Sequence, residues 1–155
     1  MTPVFPLFFD LSEKDILFVG AGSIAERRIR TLLPFARRIR VIAGEATDGI
    51  RALAQEGKLS LTLREASEAD MQADIVFLCT DSPELHRTLR AVCSERGIPA
   101  NDCQHKEACD FYFPGIVHSG NVVIGVSASG ADHKKARRIR ERIQEILEDP
   151  DEEAK

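Results

Sequence analysis

Three stretches of the chain carry residue types whose spacing could do chemistry. The first is Gly20-Ala21-Gly22-Ser23-Ile24-Ala25, which fits G-x-G-x-x-[GA]. Gly20 permits a tight turn, Gly22 lets a main chain approach a pyrophosphate with no Cβ in the way, and a small Ala25 lets a helix pack close to a strand. A helix N-terminus at that point offers free N–H groups and the positive end of its dipole to phosphate oxygens. The second is the polar run DCQHKEACD, from Asp102 to Asp110. Its imidazole, His105, is of the type that moves protons near neutral pH, or it is an ordinary loop histidine. Cys103-x-His105-x3-Cys109 could take a metal with a distant fourth ligand, but the spacing matches no standard zinc pattern, and the expectation is no metal. The third is the small-residue loop Ser127-Ala128-Ser129-Gly130, followed by Lys134, Lys135, Arg137, Arg138, Arg140 and Arg142. It reads either as an anion site at a helix N-terminus or as a solvated basic face offset by Glu141, Glu145 and Glu148.

The elements that position these stretches follow from the apolar pattern. ILFVG (Ile16 to Gly20) is a continuous apolar run ended by glycine, as expected of a strand buried on both faces. From Ser23 the period becomes helical, with Ile24, Ala25, Ile29, Leu32 and Leu33 on one stripe, Arg27, Arg28 and Arg30 largely off it, and Pro34 as the stop. Further strands are expected at Arg38 to Gly44, Leu59 to Leu63, Ala73 to Thr80 and Ile98 to Asn101. A helix is expected from about Thr47 to Glu56, closed by Gly57. Another has Ser82 as N-cap, Pro83 at its first position and Gly97 past its end. Alternating strands and helices imply a parallel sheet covered on both faces. After Asn101 the pattern changes to a hairpin turning at Ser119-Gly120-Asn121 and a basic amphipathic helix from about Asp132 to Glu148, with Ala136, Ile139, Ile143, Ile146 and Leu147 on its apolar side. The expected organisation is α/β: a Rossmann-type domain over residues 1–113, a small C-terminal hairpin-plus-helix segment over 114–148, and a disordered tail over 149–155. The small segment cannot bury its own faces, so a homodimer is expected.

On this fold the ligand edge holds Glu45, about 20 residues past the glycine turn, where an acid can bond ribose hydroxyls; this favours NAD over NADP, although Arg51 lies close. Thr80 and Asp81 end the fourth strand on the same edge, Asp81 being equally a turn residue. The 155 residues hold 21 basic and 25 acidic side chains, a net charge of −4, and no Trp and one Tyr, which argues against nucleic-acid binding. No apolar run reaches the ~20 residues of a membrane span. The N-terminal stretch has no basic n-region or cleavage site, so it is read as folded protein and the chain as cytoplasmic. The four cysteines are expected as thiols, with Cys79 and Cys93 in the core.

Longer stretches resemble one family. FPLFFDLSEKDILFVGAGSIAERRIRTLL, LCTDSPELHRTL, NDCQHKEACDFYFPGIV and VVIGVSASGADHKKARRIRERI come in the order and at the spacing of motifs in precorrin-2 dehydrogenases, the dehydrogenase/ferrochelatase module of siroheme synthase. The resemblance covers Phe5 to about Leu147. It implies oxidation of precorrin-2 to sirohydrochlorin by NAD+ and, in some members, insertion of ferrous iron. Carried over, cofactor contacts fall on Gly22, Ser23, Ile24, Gly44, Glu45 and Thr80, with Asn101 toward the nicotinamide. The tetrapyrrole carboxylates would meet Ser127, Ser129, Gly130, Lys134 and Arg138. The family's acidic catalytic residue falls on Gln104, which cannot take up a proton; His105, Asp102 or Asp110 could stand in. The usual Ser-Pro at the last helix start is Asp132-His133. These departures bear on chelation more than on dehydrogenation. Two alternatives stay open: a binding dimer for NAD or a tetrapyrrole without catalysis, and chelation alone with Cys103, His105 or Asp110 meeting iron.

Overall fold

The computed structural model describes residues 4–148; the expected tail at 149–155 lies outside them. Phe9–Phe111 make one compact unit, and the described residues before and after it make a second. The first unit is β1 (Asp15–Ala21), α1 (Ser23–Leu32), β2 (Arg38–Ala46), α2 (Asp48–Gln55), β3 (Ser60–Leu63), β4 (Ile75–Leu78), α3 (Pro83–Arg96) and β5 (Ala100–Asp102), with single 3-10 turns at Glu68–Asp70 and Lys106–Ala108. The sheet order is β3-β2-β1-β4-β5 and each neighbouring pair is parallel. That is the Rossmann-type arrangement, in which chain order reverses beside β1 and leaves a crevice at the carboxyl ends of the strands.

Burial explains the apolar runs. Ile16, Leu17 and Phe18 of β1 are 0% exposed, as β1 is paired on both sides and covered above and below. Along β1 the side chains alternate between two faces. Phe18 stacks on Phe77 with ring centroids 4.5 Å apart, and Phe111 meets Phe77 edge-on at 5.5 Å. Leu17 and Val19 join a second cluster with Met71, Val76, Leu78, Leu89, Val92, Cys93 and Ala100. Each large apolar side chain so buried contributes roughly 1.5–3 kcal/mol.

The helix limits follow their caps. Ser82 Oγ accepts from Leu85 N–H, Pro83 opens α3, and Gly97 closes it at φ +65°. Thr47 Oγ1 accepts from Ile50 N–H at the start of α2. Two expectations need correction. The fifth strand is Ala100–Asp102 rather than Ile98 to Asn101, because Pro99 has no N–H; it offers its carbonyl to Val76 N–H at 3.0 Å, and the ladder begins one residue later. Ile24, assigned to the buried stripe of α1, is 45% exposed, while Ala25 and Ile29 are fully buried.

The second unit holds the antiparallel hairpin β6 (Gly115–Ser119) and β7 (Val122–Val126) and the helix α4 (His133–Glu148). Residues 4–8 belong to this unit rather than to the nucleotide-type domain, and Val4 N–H donates to Ser129 Oγ at 3.2 Å. Among the described residues, no helix is long and apolar enough to cross a membrane.

Candidate functional site

The glycine turn is built as its residue types require. Gly20 sits at φ +99°, and a Cβ there would overlap the Cys79 carbonyl at the end of β4, so glycine is required by both conformation and space. The β1–β2 register shifts at this point, and Thr47 N–H then bonds Ala21 C=O at 3.1 Å. Gly22 is the N-cap of α1, extended at φ −82° and ψ −172°, and gives the helix no side-chain cap. A Cβ on Gly22 would meet no protein atom within 4 Å. The first-turn amides therefore face an opening that protein does not fill, the arrangement that holds an anion. Ala25 is 0% exposed, so the close helix-to-strand packing expected of it is present.

That opening is one end of a cavity of about 680 Å³ along the carboxyl edge of the sheet. Its walls include Gly20 and Gly22, the end of β2 with Gly44 and Glu45, and the end of β4 with Cys79, Thr80 and Asp81. The size is within the ordinary range of a small-molecule site. Ser23 and Ile24 are exposed at the start of α1. Arg51 Nε donates to Ala46 C=O at 3.2 Å, which anchors its stem to the end of β2. Glu26, one turn into α1, is held by Arg30 and by Thr47 Oγ1, which lies 2.6 Å from its Oε2; these bonds keep its carboxyl below the usual range. Gly49 leaves the space that the Glu26 carboxylate occupies.

β5 carries the polar residues, and they part to two faces. Asn101 is 2% exposed. Its Oδ1 accepts from Arg28 Nη1 at 2.5 Å and its Nδ2 donates to Phe111 C=O at 2.7 Å. Both ends of its amide thus make a hydrogen bond to protein. Arg28, read from sequence as lying off the buried face, crosses the Phe77 ring at 5.9 Å and also reaches Cys103 Sγ at 2.7 Å. Cys79, expected in the core, instead lines the cavity beside Cys103; Cys93 is buried against Met71 as expected.

Asp102 points to the α3 side and its side chain is 2% exposed. Its Oδ1 accepts from Gln104 N–H at 2.8 Å and His105 N–H at 2.7 Å. Its Oδ2 lies 2.7 Å from Nε2 of His86, which is buried on α3, and 3.5 Å from Nδ1 of His105. Burial alone pushes the Asp102 carboxyl up, but the His105 N–H, the His86 ring and the Gln104 N–H outweigh it and hold it below the usual carboxylate range. The His86 pair is close but off the line of a hydrogen bond, and neither ring nitrogen has such a partner among the described residues. The His105 ring is half exposed and meets His86 edge-on at 5.6 Å. Gln104 Nε2 donates to Thr80 C=O at 2.6 Å, tying this loop to the cavity wall. Asp110 is occupied differently: Oδ2 accepts from Ala100 N–H and Oδ1 pairs with Arg90.

Sequence reading missed His86 and Arg28. The signal for His86 was its place three residues before Leu89 on the buried stripe of α3, a position where a polar residue needs a partner. Among the described residues, the potential metal ligands that converge are His86, Asp102 and His105, all ligand atoms within 4.8 Å of one another. The sequence pattern Cys103, His105 and Cys109 is not the set brought together.

In the second unit Ser129 takes a left-handed φ of +51° and its N–H bonds Ser127 Oγ at 3.1 Å. Asp132 caps α4, accepting from Lys135 N–H at 2.8 Å. A carboxylate thus stands at the helix end where the loop Ser127 to Gly130 was expected to take an anion. Lys134 and Arg138 remain exposed, while Arg137 is paired with Glu141 at 2.7 Å.

Comparison with known proteins agrees with this architecture. Residues 7–115 match the family described as "Putative NAD(P)-binding". The siroheme synthase of Pseudoalteromonas atlantica is 31% identical over 144 residues, covering 92% of this chain and 31% of that protein. A probable multifunctional siroheme biosynthesis protein HemA of Ruminiclostridium josui is 33% identical, covering 92% of this chain and 28% of its own length. The chain thus spans about three tenths of the length of these curated relatives. The solved structure of SirC, precorrin-2 dehydrogenase, superposes with a TM-score of 0.79 at 22% identity over 92% of this chain and 71% of that one, which shows a shared fold. With the turn, the strand order and the family match in agreement, this chain belongs to the putative NAD(P)-binding family.

Proposed function

We propose that this chain oxidises precorrin-2 to sirohydrochlorin with NAD+ as hydride acceptor, in the cytoplasm, as a homodimer. The observation that carries the reading is the uncapped start of α1 at Gly22, opening onto a cavity that also holds Glu45 and Thr80. These residues fit a nicotinamide dinucleotide: Gly22, Ser23 and Ile24 would take the pyrophosphate, Gly44 and Glu45 the adenosine ribose, and Thr80 and Asp81 the far half. Glu45 favours NAD over NADP by accepting from ribose hydroxyls and repelling a phosphate. Bound there, the nicotinamide supplies a two-electron hydride acceptor. The names of the siroheme relatives support a substrate on the route to siroheme.

The chain's own share is the proton. Removal of two hydrogens sends a hydride to the cofactor and leaves a proton that a base must accept. His105 is that base; its ring is half exposed, and the buried Asp102 carboxylate lies 3.5 Å from its Nδ1. Gln104 holds the loop against the Thr80 carbonyl and exchanges no proton. Asn101 holds Arg28 and would approach the nicotinamide end. Lys134 and Arg138, with the Ser127, Ser129 and Gly130 loop, supply cations and donors for substrate carboxylates. The homodimer is supported by apolar surface in the second unit, where Phe5 is 83%, Val122 52% and Ile146 54% exposed.

Anaerobic mixing with precorrin-2 and NAD+ tests the reading. NADH appears at 340 nm, and His105→Ala slows it roughly 10²-fold or more. Tight NAD+ binding with no turnover overturns the dehydrogenase in favour of a binding protein, and full turnover by His105→Ala removes that residue from the mechanism. The second reading, metal insertion into sirohydrochlorin, is favoured by the convergence of His86, Asp102 and His105; ferrous ion incorporated without NAD+ would establish it.

A further inference from the structure

The structure assigns Cys79 and Cys103 as a thiol pair that closes into a disulfide on meeting a small-molecule disulfide. The two sulfurs lie 2.7 Å apart although 24 residues separate them, brought together by the ends of the adjacent strands β4 and β5. Both cysteines are free and each is partly exposed, so a small oxidant has a route to the pair; Cys79 also lines the cavity. The other two thiols lack this setting. Cys93 is 0% exposed. Cys109 is tied to the Asp102 main chain, its Sγ donating to the carbonyl at 3.1 Å, and burial pushes its thiol up.

The pair has an internal division of roles. The Arg28 guanidinium lies 2.7 Å from Cys103 Sγ, a cation placed to favour a thiolate on that sulfur. Cys79 Sγ, 2.7 Å away, is placed to resolve what forms on Cys103. Cys103 is therefore the attacking sulfur. Its thiolate displaces one thiolate from the small disulfide and forms a mixed disulfide. Cys79 then loses its proton to solvent, attacks Cys103 Sγ and expels the second thiolate. The two protein thiols are oxidised by two electrons and the small disulfide is reduced to two thiols. The new bond ties the cavity wall at Cys79 to the loop that begins at Asp102 and carries His105.

Glutathione disulfide is the probe, added to the full chain without cofactor or substrate, so the result is independent of the proposed dehydrogenation. Peptide mass mapping is expected to recover a Cys79–Cys103 cross-linked peptide, and thiol titration in denaturant to fall from four per chain to two. Cys79→Ser is expected to stop at glutathione joined to Cys103, and Cys103→Ser to keep all its remaining thiols reduced. Persistence of four thiols, a disulfide mapped to Cys109, or wild-type protein left with glutathione on Cys103 would each overturn the assignment.

Discussion

Gly20 and Gly22 stand two residues apart in one turn, yet substitution should act on different properties. Gly20→Ala meets two penalties. Its φ of +99° is disfavoured for a residue with a Cβ, and that Cβ would overlap the Cys79 carbonyl. Backbone strain of this kind costs about 1–3 kcal/mol, and displacing the end of β4 brings the total to roughly 3–4 kcal/mol. For a chain of this size that lowers Tm by on the order of 10 °C. Gly22→Ala meets neither: φ −82° is ordinary and no protein atom lies within 4 Å of the added carbon. Its stability loss is that of a weaker N-cap, under about 1 kcal/mol. Its effect belongs to binding, because the methyl group enters the space before the first-turn amides; displacing one phosphate from those amides is worth about 2–3 kcal/mol, roughly 10²-fold in Kd. Gly22→Val should abolish binding with the same small loss of stability. Chemical denaturation and calorimetric titration with NADH, run on each variant, separate the two effects. An unchanged Kd in Gly22→Val would refute the cradle, and an unchanged denaturation midpoint in Gly20→Ala would refute the packing argument.

Three further outcomes follow from the same geometry. Glu45→Ala should cut the preference for NAD+ over NADP+ by at least tenfold, the worth of one charged hydrogen bond, about 1.4 kcal/mol or more; equal ratios of Kd for both cofactors before and after would contradict the role of Glu45. Because the folded protein holds the Asp102 carboxyl below the usual range, that carboxylate stabilises the fold above its unfolded value of about 3.9 and loses the effect as pH falls through the lower folded value. Asp102→Asn should therefore flatten the loss of stability below about pH 4, seen in urea titrations across that window, and an unchanged slope would count against it. Ile146→Glu on the exposed side of α4 should shift sedimentation from dimer to monomer, and a wild-type chain that sediments as a monomer removes the dimer altogether.

Local chemistry made much of this legible from residues alone. The glycine turn, the Ser82-Pro83 start and the Gly97 end of α3 are written in a few neighbouring positions, and the structure keeps them. The Ser119 to Asn121 turn is of the same kind. What sequence could not show was pairing across distance. Nothing in PELHRTL says that His86 will meet Asp102, because the meeting depends on β5 lying beside β4 and on the face that each residue takes. Arg28 looked like solvent-facing charge by helical period; its length carries it over Phe77 to Asn101. Nor does sequence show that the Asn101 amide bonds the carbonyl of Phe111 and the guanidinium of Arg28.

β5 has three residues, and adjacent ones engage opposite layers: Asn101 is gripped from α1 through Arg28, and Asp102 from α3 through His86. A slip of this strand by a single position would present the amide to the histidine and the carboxylate to the arginine, reversing both partnerships at once. So short a strand has little ladder to set its alignment, and these two side chains act as opposed latches that let it seat one way only.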